Sequence, residues 1–469
     1  MEENKNKVNS NQIEEEEKIF KSIGQEVFCH FKTNLVEKYK IDDSQQYAMK
    51  TEFNEKDLSE QVKAILSEEN PELEEKMGEN FEKISFQFLI NGEFLRGNIK
   101  SHLLKHKLSS ETTITIYYTF GIQKPNEDKK SKEEDWISHL QLLNEFNLNK
   151  QSPFVASLFS GDLAFYDQNQ DLILRENIID GSIKQTLCQP MQTQTQKGVQ
   201  NYITVSACSD ETIRVGQLSY AKNKKDTSFK LIAECNGNES TVSCIDVNPL
   251  KPYQYCSGSY TGDLSIYNIS ENNINQAENV YQNKENGKKV KQDLKVIEPI
   301  QQSKALHHDN ISRCLWKNQN QIYTSSFDHS IKLYDTTKVA QVQSIATKDS
   351  AVTTFNFDQD LVISGHEDSY IKTFDMREGK GPVNIFKSHT LWVSDIQKVP
   401  INDHQFISCS YDHTIKLWDQ RSQFPIFTLK SHHDKIFSVI WNGDSKILSG
   451  GSDKEIISHV FPSDPFLQA

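Results

Sequence analysis

No apolar run in this 469-residue chain approaches the length of a membrane span. Met1-Glu2-Glu3-Asn4-Lys5 begins nothing like a secretory leader, so the expected compartment is intracellular, with no membrane partner. C-x-x-C pairs are missing as well. The eight cysteines lack the clustered spacing of a metal or disulfide framework. Cys208, Cys244, Cys256, Cys314 and Cys409 lie in apolar, strand-like runs, and all eight are expected as small buried hydrophobes. The sequons at Asn238 and Asn268 carry little meaning without secretion. No G-x-x-x-x-G-K-[ST], G-x-S-x-G or H-E-x-x-H occurs, so no motif marks an enzyme, a resident cofactor or a small-molecule substrate. A basic balance is also lacking. Net charge is −13, and residues 1–120 carry 16 Lys/Arg against 23 Asp/Glu. That argues against a nucleic-acid grip by the whole protein.

What is present divides the chain. Residues 1–24, with the run Glu14-Glu15-Glu16-Glu17, read as a disordered acidic extension. Over 25–121 the texture is that of a small α+β domain. Residues 26–31 suit a first strand. Leu58, Val62, Ile65 and Leu66 share one helical face. Ile84–Arg96 reads as a hairpin with an Asn91-Gly92 turn, and Thr112–Tyr118 alternates as a final strand. Before that strand comes Leu108-Ser109-Ser110-Glu111, a polar turn ending in a carboxylate, which local pattern alone leaves as an ordinary solvated turn. Residues 122–135 are rich in Lys, Glu and Asp and read as a charged linker.

Beyond it the chain repeats. Asp328, Asp368, Asp412 and Asp453 are 40, 44 and 41 residues apart, and the copies end on Tyr334-Asp335, Phe374-Asp375 and Trp418-Asp419. That period, with an aromatic-Asp close, is the signature of WD-repeat propeller blades. Weaker copies extend it back to Trp136. The expected architecture is an all-β seven-bladed propeller over 136–461, with an insert at 271–298 between the third and fourth blades and a tail at 462–469. The tail, with two prolines, suits a ladder strand poorly, so closure of the ring is expected from the segment before Trp136. Lysines between Lys284 and Lys295 give the insert a positive charge; a solvated loop is the expected reading, with ribosomal RNA contact as its alternative.

Certain side chains recur with the repeat. His389, Ser408, Asp412 and Trp418 match the hydrogen-bonding tetrad of WD repeats. His307, Thr324 and Asp328 repeat it with Tyr334 in the Trp place, and His432, Ser449 and Asp453 repeat it with His459 there. A His, a Ser and an Asp resemble a hydrolase triad, but recurrence in several copies favours buried groups that satisfy one another.

The pairing of a small α+β domain with WD repeats narrows the field. Phe86–Arg96 ("FQFLINGEFLR"), Leu108–Glu111 and Glu134–Leu140 ("EDWISHL") resemble the WD-repeat ribosome-biogenesis factor family of the PeBoW complex. The resemblance implies a ubiquitin-like (β-grasp) domain before the propeller and a scaffold in maturation of the large (60S) subunit and pre-rRNA processing. It implies residence in the nucleus, nucleolus and nucleoplasm. It also implies binding of the propeller to a Bop-type WD-repeat protein held with pescadillo, and docking of the ubiquitin-like domain on the metal-ion-dependent adhesion site of midasin. That AAA-type ATPase then pulls the complex from the pre-60S particle. By the same resemblance Glu111 is the carboxylate that completes, in trans, the coordination of a Mg²⁺ held by midasin. The alternatives are a Notchless-type factor, for which eight blades are expected, and a substrate adaptor of a ubiquitin ligase, for which no helical module precedes the blades.

Overall fold

In the computed structural model, residues 25–461 are described, apart from 34–38, 72–80, 82–83, 92, 107–112, 122–123, 144–150, 192–198, 222–225, 271–272, 274–278, 281–293, 348–349, 380, 401–403 and 444. They fall into two compact units, one within residues 1–124 and the other within 125–463.

Among its described residues the first unit has a five-stranded sheet and two helices. Its elements are β1 (Glu26–Lys32), β2 (Tyr47–Lys50), α1 (Glu55–Glu69), β3 (Phe86–Ile90), β4 (Glu93–Phe94), α2 (Ile99–Lys105) and β5 (Ile114–Phe120), and the sheet order is β2-β1-β5-β3-β4. β1 and β5 pair in parallel at the centre, and the other pairs are antiparallel. Alternation along β1 sends Val27, Cys29 and Phe31 into the core. α1 starts where Asn54 and Asp57 form a reciprocal capping box, a device that stabilises a helix by about 1 kcal/mol. Its buried face is Leu58, Ser59, Val62 and Leu66, with Ile65 packed at the margin. The Ser59 hydroxyl is inside because it accepts the Phe86 amide at 3.1 Å. Tyr118 ties the centre together, donating to the Tyr39 carbonyl at 2.7 Å and accepting the Ile41 amide at 2.9 Å.

Among the described residues the second unit has seven antiparallel sheets, apart from one parallel strand described below. The first strand of each sheet packs against the first strand of the next, and the last sheet returns to the first, so the sheets form a closed ring. Buried aliphatic and aromatic residues fill the seams, for example Ile137, Leu140, Phe154, Ile440, Leu448 and Ile456 between first and last sheets.

The ring is closed by β6 (Asn126–Lys132), which pairs antiparallel with Glu455–Val460 as the outermost strand of the last sheet. The charged stretch 122–135 is therefore not simply a linker. Its composition hid a strand because an outer strand faces solvent and tolerates charge along its length. Lys129 pairs with Asp171 at 2.6 Å, and Lys446 with Asp128 at 3.3 Å. Glu133, just beyond the strand, is buried and accepts from both Tyr166 and Arg175.

The 271–298 segment also departs from expectation. It lies between the third and fourth strands of the third sheet, Leu264–Asn268 and Gln301–Ser303, rather than between sheets. Its end is not loop: Leu294–Ile297 adds to the second sheet, parallel to Ser228–Cys235, because Leu294 and Ile297 bury there. The expected extension 1–24, the lysine-rich part of the insert and the tail 462–469 lie outside the described residues.

Candidate functional site

In the sixth sheet the sequence's tetrad is assembled from four places. His389 comes from the loop before Val393–Lys398, Ser408 from Gln405–Ser410, Asp412 from the following turn and Trp418 from Ile415–Asp419. His389 Nδ1 meets Asp412 Oδ2 at 2.8 Å, His389 Nε2 meets Ser408 Oγ at 2.8 Å, and Trp418 Nε1 donates to Ser408 Oγ at 2.8 Å. One neutral tautomer satisfies every atom: Nδ1–H donates to Asp412, Nε2 accepts the Ser408 hydroxyl, and that oxygen accepts the indole. The aspartate also orders its hairpin. Its Oδ1 accepts the Thr414 amide at 3.0 Å and hydroxyl at 2.6 Å, while His413 takes a left-handed φ of 64° between them.

Burial lowers the His389 pKa, against the pull of Asp412. Burial opposes ionisation of Asp412, but hydrogen bonds from His389 and Thr414 outweigh it and hold the carboxyl well below its usual range. A neutral imidazole facing an ionised carboxylate results. Ser408 and Trp418 are fully buried, so the serine offers no nucleophile to solvent. This arrangement holds strands together; it has no opening for a substrate.

The other copies are partial. His307 meets Asp328 at 2.9 Å and Thr324 at 2.8 Å, and His432 meets Asp453 and Ser449 at 2.7 Å each. The fourth member is diverted in both. Tyr334 hydroxyl joins Gln301 Nε2 at 2.8 Å instead of Thr324, and His459 Nε2 joins Ser431 at 2.8 Å instead of Ser449. A phenol oxygen lies at the far tip of its ring, on the ring axis, whereas an indole Nε1 points to one side, so Tyr at the Trp place redirects the contact.

Two buried polar groups were not found from the repeat. His366 lies within the fifth sheet's own second strand, with Nε2 2.9 Å from Ser364 Oγ, and burial depresses its pKa to about 4. Arg313 reaches from the fourth sheet to Asp395 of the sixth and donates to Thr354 of the fifth at 2.9 Å. His139 of the first sheet lies within electrostatic reach of that pair, and burial pushes its pKa down to about 4. A spacing of about 40 residues reveals what repeats, and these groups do not. All eight cysteines are buried and free of disulfides. Among the described residues no His/Cys/Asp/Glu group could hold a metal, and no helix is long and apolar enough to cross a membrane.

Glu111 lies outside the described residues. The strand after it, β5, is central in its sheet, and Phe28 of β1 stands at the loop end because Cys29 pairs with Ile114 in parallel register. Phe28 is 54% exposed and Tyr117 of β5 46% exposed. The alternation of β1 could have identified Phe28 as outward-facing, since its neighbours Val27 and Cys29 are apolar and inward.

A ring of sheets fastened by His–Ser/Thr–Asp networks, in a chain that also has a separate N-terminal α+β unit, fits a WD propeller protein. Family comparison agrees: residues 27–103 match the NLE (NUC135) domain, and residues 380–419 and 423–457 match the WD domain, G-beta repeat. Relatives named ribosome biogenesis protein WDR12 homolog match along most of the chain. The Nematostella vectensis protein is 25% identical over 90% of this chain and 96% of the relative. The Anopheles gambiae protein is 29% identical over 81% and 84%, and the Arabidopsis thaliana protein 23% over 85% and 88%. The domain pair and these relatives together support a WDR12-type factor.

Proposed function

We propose that the protein is a non-catalytic scaffold in ribosome biogenesis, acting in large-subunit maturation and pre-rRNA processing in the nucleus, nucleolus and nucleoplasm. The observation that carries this reading is similarity to WDR12-named relatives across both units rather than across the repeats alone. In this reading the ring is a seven-bladed propeller that binds a Bop-type propeller held with pescadillo. The first unit is a ubiquitin-like domain, a reading its helix-backed mixed sheet with a parallel central pair supports. Seven sheets suit this assignment better than the eight blades expected of a Notchless-type factor.

The first unit docks on midasin in this reading, and the Glu111 carboxylate gives a hard oxygen ligand to midasin's Mg²⁺. One ligand contributes modestly, so neighbouring surface must carry much of the affinity. Exposed Phe28 at the loop end is placed to contribute. The test is binding of the full chain to midasin's adhesion-site domain by interferometry. Binding is expected with Mg²⁺, to weaken strongly with EDTA or Glu111→Ala, and to weaken about tenfold in Phe28→Ala. Binding left intact by EDTA or by Glu111→Ala would remove the metal-ligand role. Pull-down from cell extract tests the wider assignment: recovery of ubiquitin-ligase subunits without pescadillo and the Bop-type partner would overturn it.

A further inference from the structure

The ring's central cavity opens through a mouth where aromatic rings stand among hydroxyl and amide side chains. Phe159, Tyr260, Phe327, Trp392, Tyr411 and Phe437 surround a volume of about 260 Å³. Trp392 and Tyr411 stack at 5.8 Å, and Tyr411 meets Phe437 edge-on at 5.6 Å. Tyr260 remains 45% exposed and Trp392 40%. Large aromatic rings grouped and left open to water are the composition of a binding anchor point.

Below the rings, Ser138, Ser243, Thr353 and Ser394 project from the first strands of their sheets, but their hydroxyl protons are committed to main-chain carbonyls. They line the cavity without offering it a proton. Among the described residues lining it, the only charged side chain is Lys184, which lies over the Phe159 ring at 5.1 Å. Among the described residues no carboxylate pairs with it. Burial lowers its pKa, as expected of an ammonium partly removed from water with no counter-ion.

We propose that this mouth docks an acidic segment of a partner protein, with one carboxylate seated on Lys184 and flanking apolar side chains on the aromatic rings. The volume suits one or two side chains, and Lys184, with Lys435 over the outer Tyr411 ring at 5.3 Å, selects an anion among them. A carboxylate segment is favoured over RNA by the balance of charge. One carboxylate matches one lysine, whereas a phosphate backbone brings several negative charges to a protein whose net charge is already −13. This surface does not depend on the partner assignments made above.

A phage-displayed random heptapeptide library selected on the immobilised full chain tests it. The expected consensus is Asp or Glu flanked by aromatic or aliphatic residues. A synthetic peptide of that consensus should bind at least about tenfold more weakly to Lys184→Gln and to Trp392→Ala, and close to normally to Lys184→Arg. Thermal melting of each variant separates lost binding from lost fold, and replacing the peptide's acid by its amide repeats the test on unaltered protein. A basic or acid-free consensus, no enrichment, or binding indifferent to Lys184 would overturn the proposal. So would a uridine 12-mer that binds through Lys184 where no peptide does.

Discussion

The fifth and sixth sheets are neighbours in the ring and share a pattern of Ser, turn Asp and Lys, at Ser364, Asp368 and Lys372 and at Ser408, Asp412 and Lys416. Their histidines come from different places. In the sixth, His389 arrives from the loop before the sheet and joins Ser408 to Asp412. In the fifth, His366 belongs to the same strand as Ser364, and Asp368 takes Lys372 Nζ at 2.7 Å instead. The strands need a partner for a buried serine and another for a turn carboxylate. One imidazole can serve both, or two side chains can divide the task. The single-imidazole solution couples the two groups, so losing it should cost more.

The largest effect is therefore expected from His389→Ala. It leaves a carboxylate, 6% exposed at the side chain, and a buried serine without their shared partner, at a cost of about 3–5 kcal/mol. His366→Ala removes the Ser364 partner but leaves Asp368 with Lys372, for a cost of about 1–2 kcal/mol. Urea denaturation of the two variants measures the difference. Equal losses would mean that coupling through one imidazole adds nothing.

Acid sharpens the comparison next. His366 has its pKa depressed from 6.5 to about 4, by burial first and by Lys372 second, with Asp368 opposing. Below pH 6.5 the unfolded chain takes up a proton that the folded chain refuses. Stability from the neutral imidazole is thus present above pH 6.5 and is lost as pH falls toward 4. Between pH 7 and pH 5 this histidine alone should remove about 2 kcal/mol. His139, with the same depression, adds a similar loss. His366→Asn should flatten the pH dependence of the melting temperature by that share; an unchanged slope would show that the imidazole is already protonated in the fold.

The contrast between the sheets also shows what could be read from the chain. His389, Ser408, Asp412 and Trp418 were legible because a buried network repeated about every 40 residues leaves a periodic trace. His366 was not, because its role is set by which strand face it occupies, and that is visible only once Ser364 and His366 are seen to share a face two residues apart. The diversion of Tyr334 to Gln301 was hidden for a similar reason: a residue's type was read, but its reach was not. β6 was missed where charge masked an edge strand, although the need for some strand before Trp136 followed from the poor tail. In the first unit, the helical face of α1 followed from periodicity and the hairpin from its Asn91-Gly92 turn, whereas β2 and α2 are short and have little periodicity to display.

The smallest effect separates the two halves of the fifth sheet's solution. Lys372→Met keeps the aliphatic stem but removes the ammonium that pairs with Asp368, whose carboxylate is 29% exposed and so still reaches water. Asp368 keeps the Tyr370 amide at 3.1 Å, so its hairpin turn should survive. A partly exposed pair of this kind is worth about 1 kcal/mol at most. The same change should make His366 easier to protonate, because Lys372 is one of the groups holding its pKa down. NMR titration of the His366 ring should therefore move upward in Lys372→Met while His389 stays where it was. Movement of both rings together would mean that the fifth and sixth networks are electrostatically one system, and the division drawn between them would fail.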